Sequence, residues 1–274
     1  LWPIADRPVR QSTVAGEKTA VTQPFPTKPP AFEIQGLREE DLIDLTPELR
    51  REALEIVRRW DHGPLYTPPS ERGAMLMPSV FGAANWSGAA WDPETQLLYV
   101  TTIRHANAIK VTERSGGPRF GSINGVPGPA GLPLFKPPWG NVVAIDLSAG
   151  DLRWRSAVGT GNRDHPSLRQ LGITERLGWP HRAFALVTKS LLLVVQQGAT
   201  SGRPAGRRLE IDLSNLEPKL YAYDKASGRL IAEVPLPANA SGAPMTYMAG
   251  GKQYVAFPVG GSNMTEELIA LVLP

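Results

Sequence analysis

The residue types that most often carry out chemistry are sparse and scattered in this chain of 274 residues. The four histidines, His62, His105, His165 and His181, form no i, i+4 pair with a glutamate of the kind that zinc proteases use. The sequence contains no cysteine, which excludes thiolate catalysis, disulfides and cysteine-ligated metals. We therefore expect the histidines to be surface or loop residues and not metal ligands.

Two further stretches contain residue types that occur in catalytic sites, but neither has the pattern of a catalytic motif. Asp41 and Asp44 lie in an acidic stretch that directly precedes a helix, where negative charge stabilises the helix N-terminus. Residues 82–88 read G-A-A-N-W-S-G and lack the lysine of a phosphate-binding loop. There is also no G-x-S-x-G nucleophile elbow. By itself the sequence shows no self-contained active site.

Composition narrows the class of protein. The formal net charge is only +3, and the basic residues are not gathered into a stripe with aromatic residues, which argues against a nucleic-acid partner. No apolar run approaches the roughly 18 residues that a membrane-spanning helix needs. Glycine and proline number 27 each, which favours turns and long loops over helices.

A repeated phrase indicates how the chain is organised. Residues 142–154 read V-V-A-I-D-L-S-A-G-D-L-R-W, and residues 220–232 read L-Y-A-Y-D-K-A-S-G-R-L-I-A. In each copy a strand is followed by a turn that an aspartate opens and a glycine closes, and then by a second strand. Repeated antiparallel units of this kind are typical of a β-propeller.

The other segments read as one helix and a series of strands and loops. Thr46 and Pro47 predict a helix start, and an apolar stripe follows. The stripe comprises Leu49, Ala53, Ile56, Val57 and Trp60. Further expected segments are loops over 103–140 and 159–182, strands over 183–197, 252–259 and 266–273, and a turn at Gly260-Gly261.

This count corresponds to about two complete blades, part of a third and a closing hairpin. A whole propeller generally needs at least four blades. We expect residues 1–74 to form an extended proline-rich segment plus a helix that packs on the propeller, and residues 75–274 to form C-terminal propeller blades. Leu1 reads like the middle of a loop, so we expect a piece of a longer polypeptide or a processed product.

Several stretches, taken in order, carry a family resemblance. They are residues 22–30 and 41–60, 84–100 (A-N-W-S-G-A-A-W-D-P-E-T-Q-L-L-Y-V), 135–154, and 242–255. This ordered set resembles the C-terminal part of pyrroloquinoline quinone (PQQ)-dependent dehydrogenases of the quinoprotein glucose dehydrogenase type. The resemblance implies an all-β fold: a partial β-propeller, about half of an eight-bladed one, with one short covering helix.

The resemblance also implies a site. PQQ would lie near the propeller axis with a Ca²⁺ ion, while the catalytic base and most metal ligands would come from an N-terminal half. No catalytic or metal-binding residue is therefore assigned in this chain. The implied cofactor-binding residues are Asn85, Trp86, Thr101, Thr102, Gly260 and Gly261. Trp154 matches a blade-docking tryptophan of the family, and Ala232 departs from that pattern in the second copy.

The implied function is the oxidation of a sugar or alcohol, with electrons passed to a quinone or respiratory acceptor. The implied partner is the N-terminal half of the propeller, on the same polypeptide or in trans, and the implied location is the periplasm. We expect the 274 residues alone to be inactive. A cofactor-free propeller module for binding or scaffolding remains the alternative, which the departures at Thr101 and Ala232 and the shortened loop after Gly261 favour slightly.

Overall fold

The computed structural model describes residues 2–114, 117–198, 217–261 and 264–272. The helices are α1 (Pro47–Val57) and three short 3₁₀ helices (Glu39–Asp41, Pro129–Gly131 and Arg169–Leu171). The strands are β1 (Ile4–Pro8), β2 (Thr22–Pro26), β3 (Ala74–Leu76), β4 (Ala89–Asp92), β5 (Leu97–Ile103), β6 (Asn107–Arg114), β7 (Gly117–Gly125), β8 (Gly140–Asp146), β9 (Asp151–Ala157), β10 (Ala183–Val187), β11 (Leu191–Gln196), β12 (Lys219–Asp224), β13 (Leu230–Pro235), β14 (Met245–Ala249), β15 (Lys252–Gly261) and β16 (Met264–Val272).

These elements form two compact units. The first unit contains the described residues up to Ala83 together with Arg104–Pro137. The second contains residues 84–103, 138–198 and those from 217 onward. This division differs from the predicted boundary at residue 75, because β3 pairs with β6 and so ties residues 104–137 to the N-terminal part of the chain.

In the first unit the helix forms as predicted. The Oγ1 of Thr46 accepts a hydrogen bond from the Leu49 backbone N–H at 3.2 Å, and Pro47 occupies the first turn. Leu49, Ala53 and Val57 are buried. Ile56 lies at the edge of this stripe and is half-buried. The helix therefore contributes one apolar face to the core of its unit.

The predicted loop over 103–140 was wrong in its middle. β6 and β7 form an antiparallel hairpin there, which joins β3 in a three-stranded sheet. Residues 117–125 contain three glycines and a proline, which lowers their intrinsic strand propensity. Pairing with β6 from Asn107 to Thr112 overrides that local preference.

The second unit consists of three antiparallel sheets. Two sheets have four strands, in the orders β4-β5-β8-β9 and β10-β11-β12-β13, and the third has three, β14-β15-β16. We call them the first, second and third sheets. We call the interface between the first and second sheets the first seam, and that between the second and third sheets the second seam. Each seam is filled by a buried apolar cluster. Two complete blades and part of a third confirm the predicted all-β, partial-propeller fold.

Two strand assignments in this unit need correction. Residues 183–197 form two strands, since the chain reverses at Thr188, whose hydroxyl exchanges hydrogen bonds with the Leu191 backbone. No glycine or proline marks that turn in the sequence. Gly260 and Gly261 are the last residues of β15 and do not form the turn themselves. The residues between β15 and β16 lie outside the described part of the chain.

The repeated phrase corresponds to one structural unit used twice. Ala144 pairs with Trp154 in the first sheet, and Ala222 pairs with Ala232 in the second. The register shifts directly after each of these pairs, so both copies carry an irregularity at the same position. The copies therefore agree in backbone detail although Trp154 is replaced by a small residue in the second.

The aspartates of these turns act as acceptors for several donors. The Asp224 carboxylate accepts hydrogen bonds from the Ser227 hydroxyl and from backbone N–H groups, which holds its pKa below the ordinary value. Hydrogen bonds from the Ala149 N–H and from Arg153 likewise hold the pKa of Asp146 below its ordinary value. Because the ionised form is the better acceptor, these turns are most stable when both carboxylates are charged.

We predict that Asp224→Asn destabilises the protein in a pH-dependent manner. A pKa that folding lowers contributes stability above the unfolded-state value and loses it as the pH falls through the folded-state value. The thermal midpoints of wild type and variant should therefore differ near neutral pH and converge between about pH 5 and pH 2. A difference that stays constant over this range would show that charge is not the stabilising property of Asp224.

Candidate cofactor-facing site

The predicted site residues lie at one end of the sheets in the second unit. Ala89, the first residue of β4, pairs with Val100 near the end of β5. Asn85 and Trp86 precede β4, and Thr101 follows Val100, so sequence-distant residues converge at this end. The Thr101 hydroxyl donates to the Ala183 carbonyl at 2.6 Å, which joins the end of β5 to the start of β10.

A second set of contacts joins the second and third sheets at the same end. Ala240 forms one bridge with Gln197, just after β11, and another with Val259 in β15. The Gly260 N–H donates to the Asn239 carbonyl at 3.0 Å. The end of β15 therefore lies on the same side of the unit as the ends of β5 and β11. We call this side the site end.

Trp86 is the most unusual residue at the site end. Its side chain is 83% exposed, and its backbone has a φ of 65°. The left-handed region costs a residue other than glycine roughly 1–2 kcal/mol. Asn85 is also exposed. A residue other than glycine keeps this backbone conformation only where the surrounding structure holds it.

The two threonines are less accessible to a ligand than the sequence suggested. Thr101 and Thr102 are 4% and 2% exposed. A hydroxyl carries one proton, and that of Thr101 is donated to the Ala183 carbonyl. Thr101 can therefore only accept a hydrogen bond from a ligand. Thr102 lies opposite Asn141 in the β5-β8 pair.

Gly260 has a structural reason to be glycine. A Cβ at this position would lie 2.8 Å from the Cγ of Glu266 in the neighbouring strand β16. Gly261 pairs with Met264 across the same hairpin. The glycines therefore allow the two strands to approach closely, and a role in bringing backbone near the cofactor stays a prediction.

Sequence reasoning missed two polar residues at the site end, Gln197 and Asn239. Their amide oxygens, Oε1 and Oδ1, are buried and have no hydrogen-bond partner among the residues that the structure describes. Buried polar atoms without a hydrogen-bond partner are uncommon in folded proteins. The available signal was a pair of glutamines that ends the apolar run L-L-L-V-V. The bridge between Gln197 and Ala240, the residue after Asn239, depends on the tertiary structure.

The opposite end of the first seam is held by contacts to one residue, Lys225. Its backbone carbonyl accepts hydrogen bonds from the Tyr99 hydroxyl at 3.0 Å and from the Trp154 indole N–H at 3.2 Å. Its ammonium group lies 2.6 Å from an Asp92 carboxylate oxygen. Burial raises the pKa of Tyr99 to about 12. Trp154 thus docks the first sheet onto the second, as a docking tryptophan would.

Burial alone would raise the pKa of Asp92, but the net shift is downward. Hydrogen bonds from Lys225, from the Thr95 hydroxyl and from the Glu94 N–H outweigh the cost of burial. The carboxylate is therefore charged at neutral pH although only 4% of the residue is exposed.

The described residues contain no group of three or more His, Cys, Asp or Glu side chains that could hold a metal ion. Among the same residues, no helix has the length and apolar character needed to cross a membrane.

Comparison with known proteins shows a family whose sequence pattern this chain matches. Residues 1–255 match the family described as PQQ, glucose/ethanol/alcohol dehydrogenase, beta-propeller domain. Quinoprotein glucose dehydrogenase A of Acinetobacter calcoaceticus is 28% identical over 99% of this chain and 35% of its own length. The quinate/shikimate dehydrogenase (quinone) of Acinetobacter baylyi is 24% identical over 97% of the chain and 34% of its own length.

Two further comparisons extend this set. The glycerol dehydrogenase large subunit of Gluconobacter thailandicus is 23% identical over the whole chain and 40% of its own length. The solved quinohemoprotein alcohol dehydrogenase of Comamonas testosteroni is 19% identical over 69% of this chain and 24% of its own, with a TM-score of 0.43. The chain spans about a third of the length of the first relatives that it matches.

Proposed function

Because this chain belongs to the beta-propeller family of PQQ-dependent glucose, ethanol and alcohol dehydrogenases, we propose that it is the C-terminal portion of such an enzyme. The enzyme would oxidise a sugar or alcohol and pass the electrons to a quinone or respiratory acceptor. The observation that carries this proposal is the match over residues 1–255. Its relatives are named as dehydrogenases of glucose, quinate or shikimate, and glycerol.

The residues at the site end differ in how well they fit PQQ. Asn85 and Trp86 are exposed and carry an amide and an indole N–H, which suit the carboxylates and carbonyls of the quinone. Thr101 can contribute only as an acceptor, since its proton is already donated. When bound, PQQ supplies a carbonyl that accepts a hydride from the substrate carbon.

This chain would contribute one wall of the cofactor pocket. Asn85 and Trp86 would orient the cofactor, and the packed seams would keep the ends of the sheets in place. The general base and the ligands of a Ca²⁺ ion would come from an N-terminal half of the propeller, as would the other wall. The assembled enzyme would act in the periplasm, as the resemblance implies.

Reconstitution tests the proposal. The longest native polypeptide that carries this chain is mixed with PQQ and Ca²⁺, and dye reduction is followed with glucose and with primary alcohols. We expect substrate-dependent reduction from that form and none from the 274 residues alone. If the long form shows neither activity nor a change in PQQ absorbance, the cofactor-free scaffolding module becomes the better interpretation.

We predict that Asn85→Ala weakens PQQ binding by about tenfold, because it removes one hydrogen bond to an ionised group. Titration of the long polypeptide with PQQ, monitored by absorbance, measures the dissociation constant. Gln253→Ala is the matched control, since Gln253 carries the same amide on β15 and bonds Thr246 instead. Equal affinities for the Asn85 variant and the wild type would remove this residue from the cofactor site.

A further inference from the structure

The hairpin of β1 and β2 in the first unit has two outer edges that differ in the hydrogen bonds they can form. At one end of the hairpin the Val9 N–H donates to the Val21 carbonyl at 3.1 Å. At the other end the Thr27 N–H donates to the Pro3 carbonyl at 3.2 Å. In an antiparallel pair every second residue bonds across, and the residues between direct their N–H and C=O groups outward. The even-numbered residues of both strands are therefore the outward ones.

The outer edge of β2 is closed by proline. Its outward positions are Thr22, Pro24 and Pro26, and the two prolines have no N–H to donate. Proline at the outward positions of an edge strand is one of the means by which native proteins prevent pairing with another strand. An additional strand therefore has almost no donors to bind along β2.

The outer edge of β1 is open instead. Ile4 and Asp6 direct both N–H and C=O outward, and neither N–H has an acceptor among the residues that the structure describes. Pro8 closes this edge only at the end of the strand. Ile4 is 69% exposed and Asp6 is exposed as well. Donors and acceptors at every second residue are what a further strand needs in order to pair.

Aromatic contacts anchor one face of the hairpin and leave this edge without a partner. The Phe25 ring lies edge-on to Tyr66, with 5.4 Å between the ring centroids. The Arg7 guanidinium lies over the same Phe25 ring, 5.0 Å from its centroid. A two-stranded hairpin is at best marginally stable in water, and a third strand adds both main-chain hydrogen bonds and packing. The hairpin is therefore anchored on its unit but incomplete as a sheet.

We infer that the outer edge of β1 pairs with an extended segment from the N-terminal half of the propeller, which becomes the third strand of this sheet. The inference rests on the proposed function, because it takes the chain to be part of a longer enzyme. The chain spans about a third of the length of its first relatives, so the larger part of such an enzyme lies outside it. A segment on the same polypeptide has a high effective concentration, which favours it over a second copy.

Amide hydrogen exchange of the long polypeptide, resolved to single residues, tests the inference. The N–H groups of Ile4 and Asp6 should exchange at least about 100-fold more slowly than in an unstructured peptide, because a paired amide exchanges only when the strands open. Thr22 is the matched control: its N–H points outward from β2, and its exchange should stay within about tenfold of the unstructured rate. Equal rates at all three residues would overturn the inference. Protection that increases with protein concentration would assign the edge to a second copy and would overturn it too.

A pair of proline substitutions provides the second readout. Asp6→Pro removes an outward N–H and leaves the hydrogen bonds to β2 in place, so protection of the Ile4 N–H should fall at least about tenfold and Tm by about 2–4 °C. Thr22→Pro removes an outward N–H from the other edge and should change neither. Equal losses in the two variants contradict the pairing. No step requires turnover: if the long polypeptide oxidises no alcohol while Ile4 and Asp6 are protected, the proposed function fails and the strand pairing stands.

Discussion

Replacing Lys225 with methionine is expected to lower the free energy of unfolding by about 3–5 kcal/mol. The ammonium group of Lys225 lies 2.6 Å from Asp92, and the two side chains are only 11% and 5% exposed. Methionine keeps the apolar part of the side chain but leaves the Asp92 carboxylate buried without its cation. The backbone carbonyl that Tyr99 and Trp154 contact is unchanged, so the substitution isolates the ion pair. Denaturant unfolding of the polypeptide that carries this chain measures the effect.

The same substitution at an exposed pair is the control. Lys136 lies 2.7 Å from Asp44, and these side chains are 42% and 45% exposed. Lys136→Met should therefore cost at most about 1 kcal/mol. Adding Asp92→Leu to Lys225→Met should recover part of the lost stability, because no unpaired buried charge then remains. Equal costs for Lys225→Met and Lys136→Met would contradict this account of how the first two sheets are joined.

Gly228→Ala is expected to lower the free energy of unfolding by about 2–4 kcal/mol, through backbone strain and a steric clash. Gly228 has a φ of +72°, and a Cβ there would lie 2.4 Å from Cε3 of the Trp154 indole. The methyl group would therefore push the docking tryptophan of the first sheet away from the turn of the second. The loss is measured by the shift of the denaturation midpoint at unchanged slope.

Two control experiments separate the cost of backbone strain at Gly228 from the cost of the steric clash with the indole. Gly251 has a φ of +77° with nothing within 4 Å of an added Cβ, so Gly251→Ala should show the strain alone, about 1–2 kcal/mol. In a Trp154→Ala background the ring is absent, and Gly228→Ala should cost less than it does in the wild type, with a contact of 2.8 Å to the Ser156 Oγ remaining. A cost that is independent of Trp154 would mean that the indole does not bear on this turn in solution.

Local patterns predicted those features that neighbouring residues determine. The Asp-to-Gly turns and the cap of α1 depend on residues a few positions apart, and both were confirmed. Residues 117–125 contradicted their glycine-rich composition, because pairing with β6 supplies stability that local propensity does not. The reversal at Thr188 was missed for a different reason: it is a local turn held by hydrogen bonds to Leu191, but it carries no glycine or proline.

The site shows the same division between local and tertiary information. The resemblance singled out Asn85, Trp86, Thr101 and Gly260, and in the structure these residues belong to the site end of one unit. The tertiary structure decided that the Thr101 proton is donated to Ala183 and that Gly260 accommodates Glu266. Hydrogen bonds between residues 82 positions apart leave no trace in a local pattern.

The sequence by itself determined that the chain is built from repeated antiparallel units, because the turn chemistry recurs along the chain, and its resemblance to the quinoproteins implied which propeller those units belong to. Only the tertiary structure decided which side chains at the site end are available to a ligand. That property depends on which donors and acceptors the neighbouring sheet already uses, and the seams bring those partners together from distant parts of the chain. Thr101 is the clearest case, since its hydroxyl proton is donated to the Ala183 carbonyl of the second sheet.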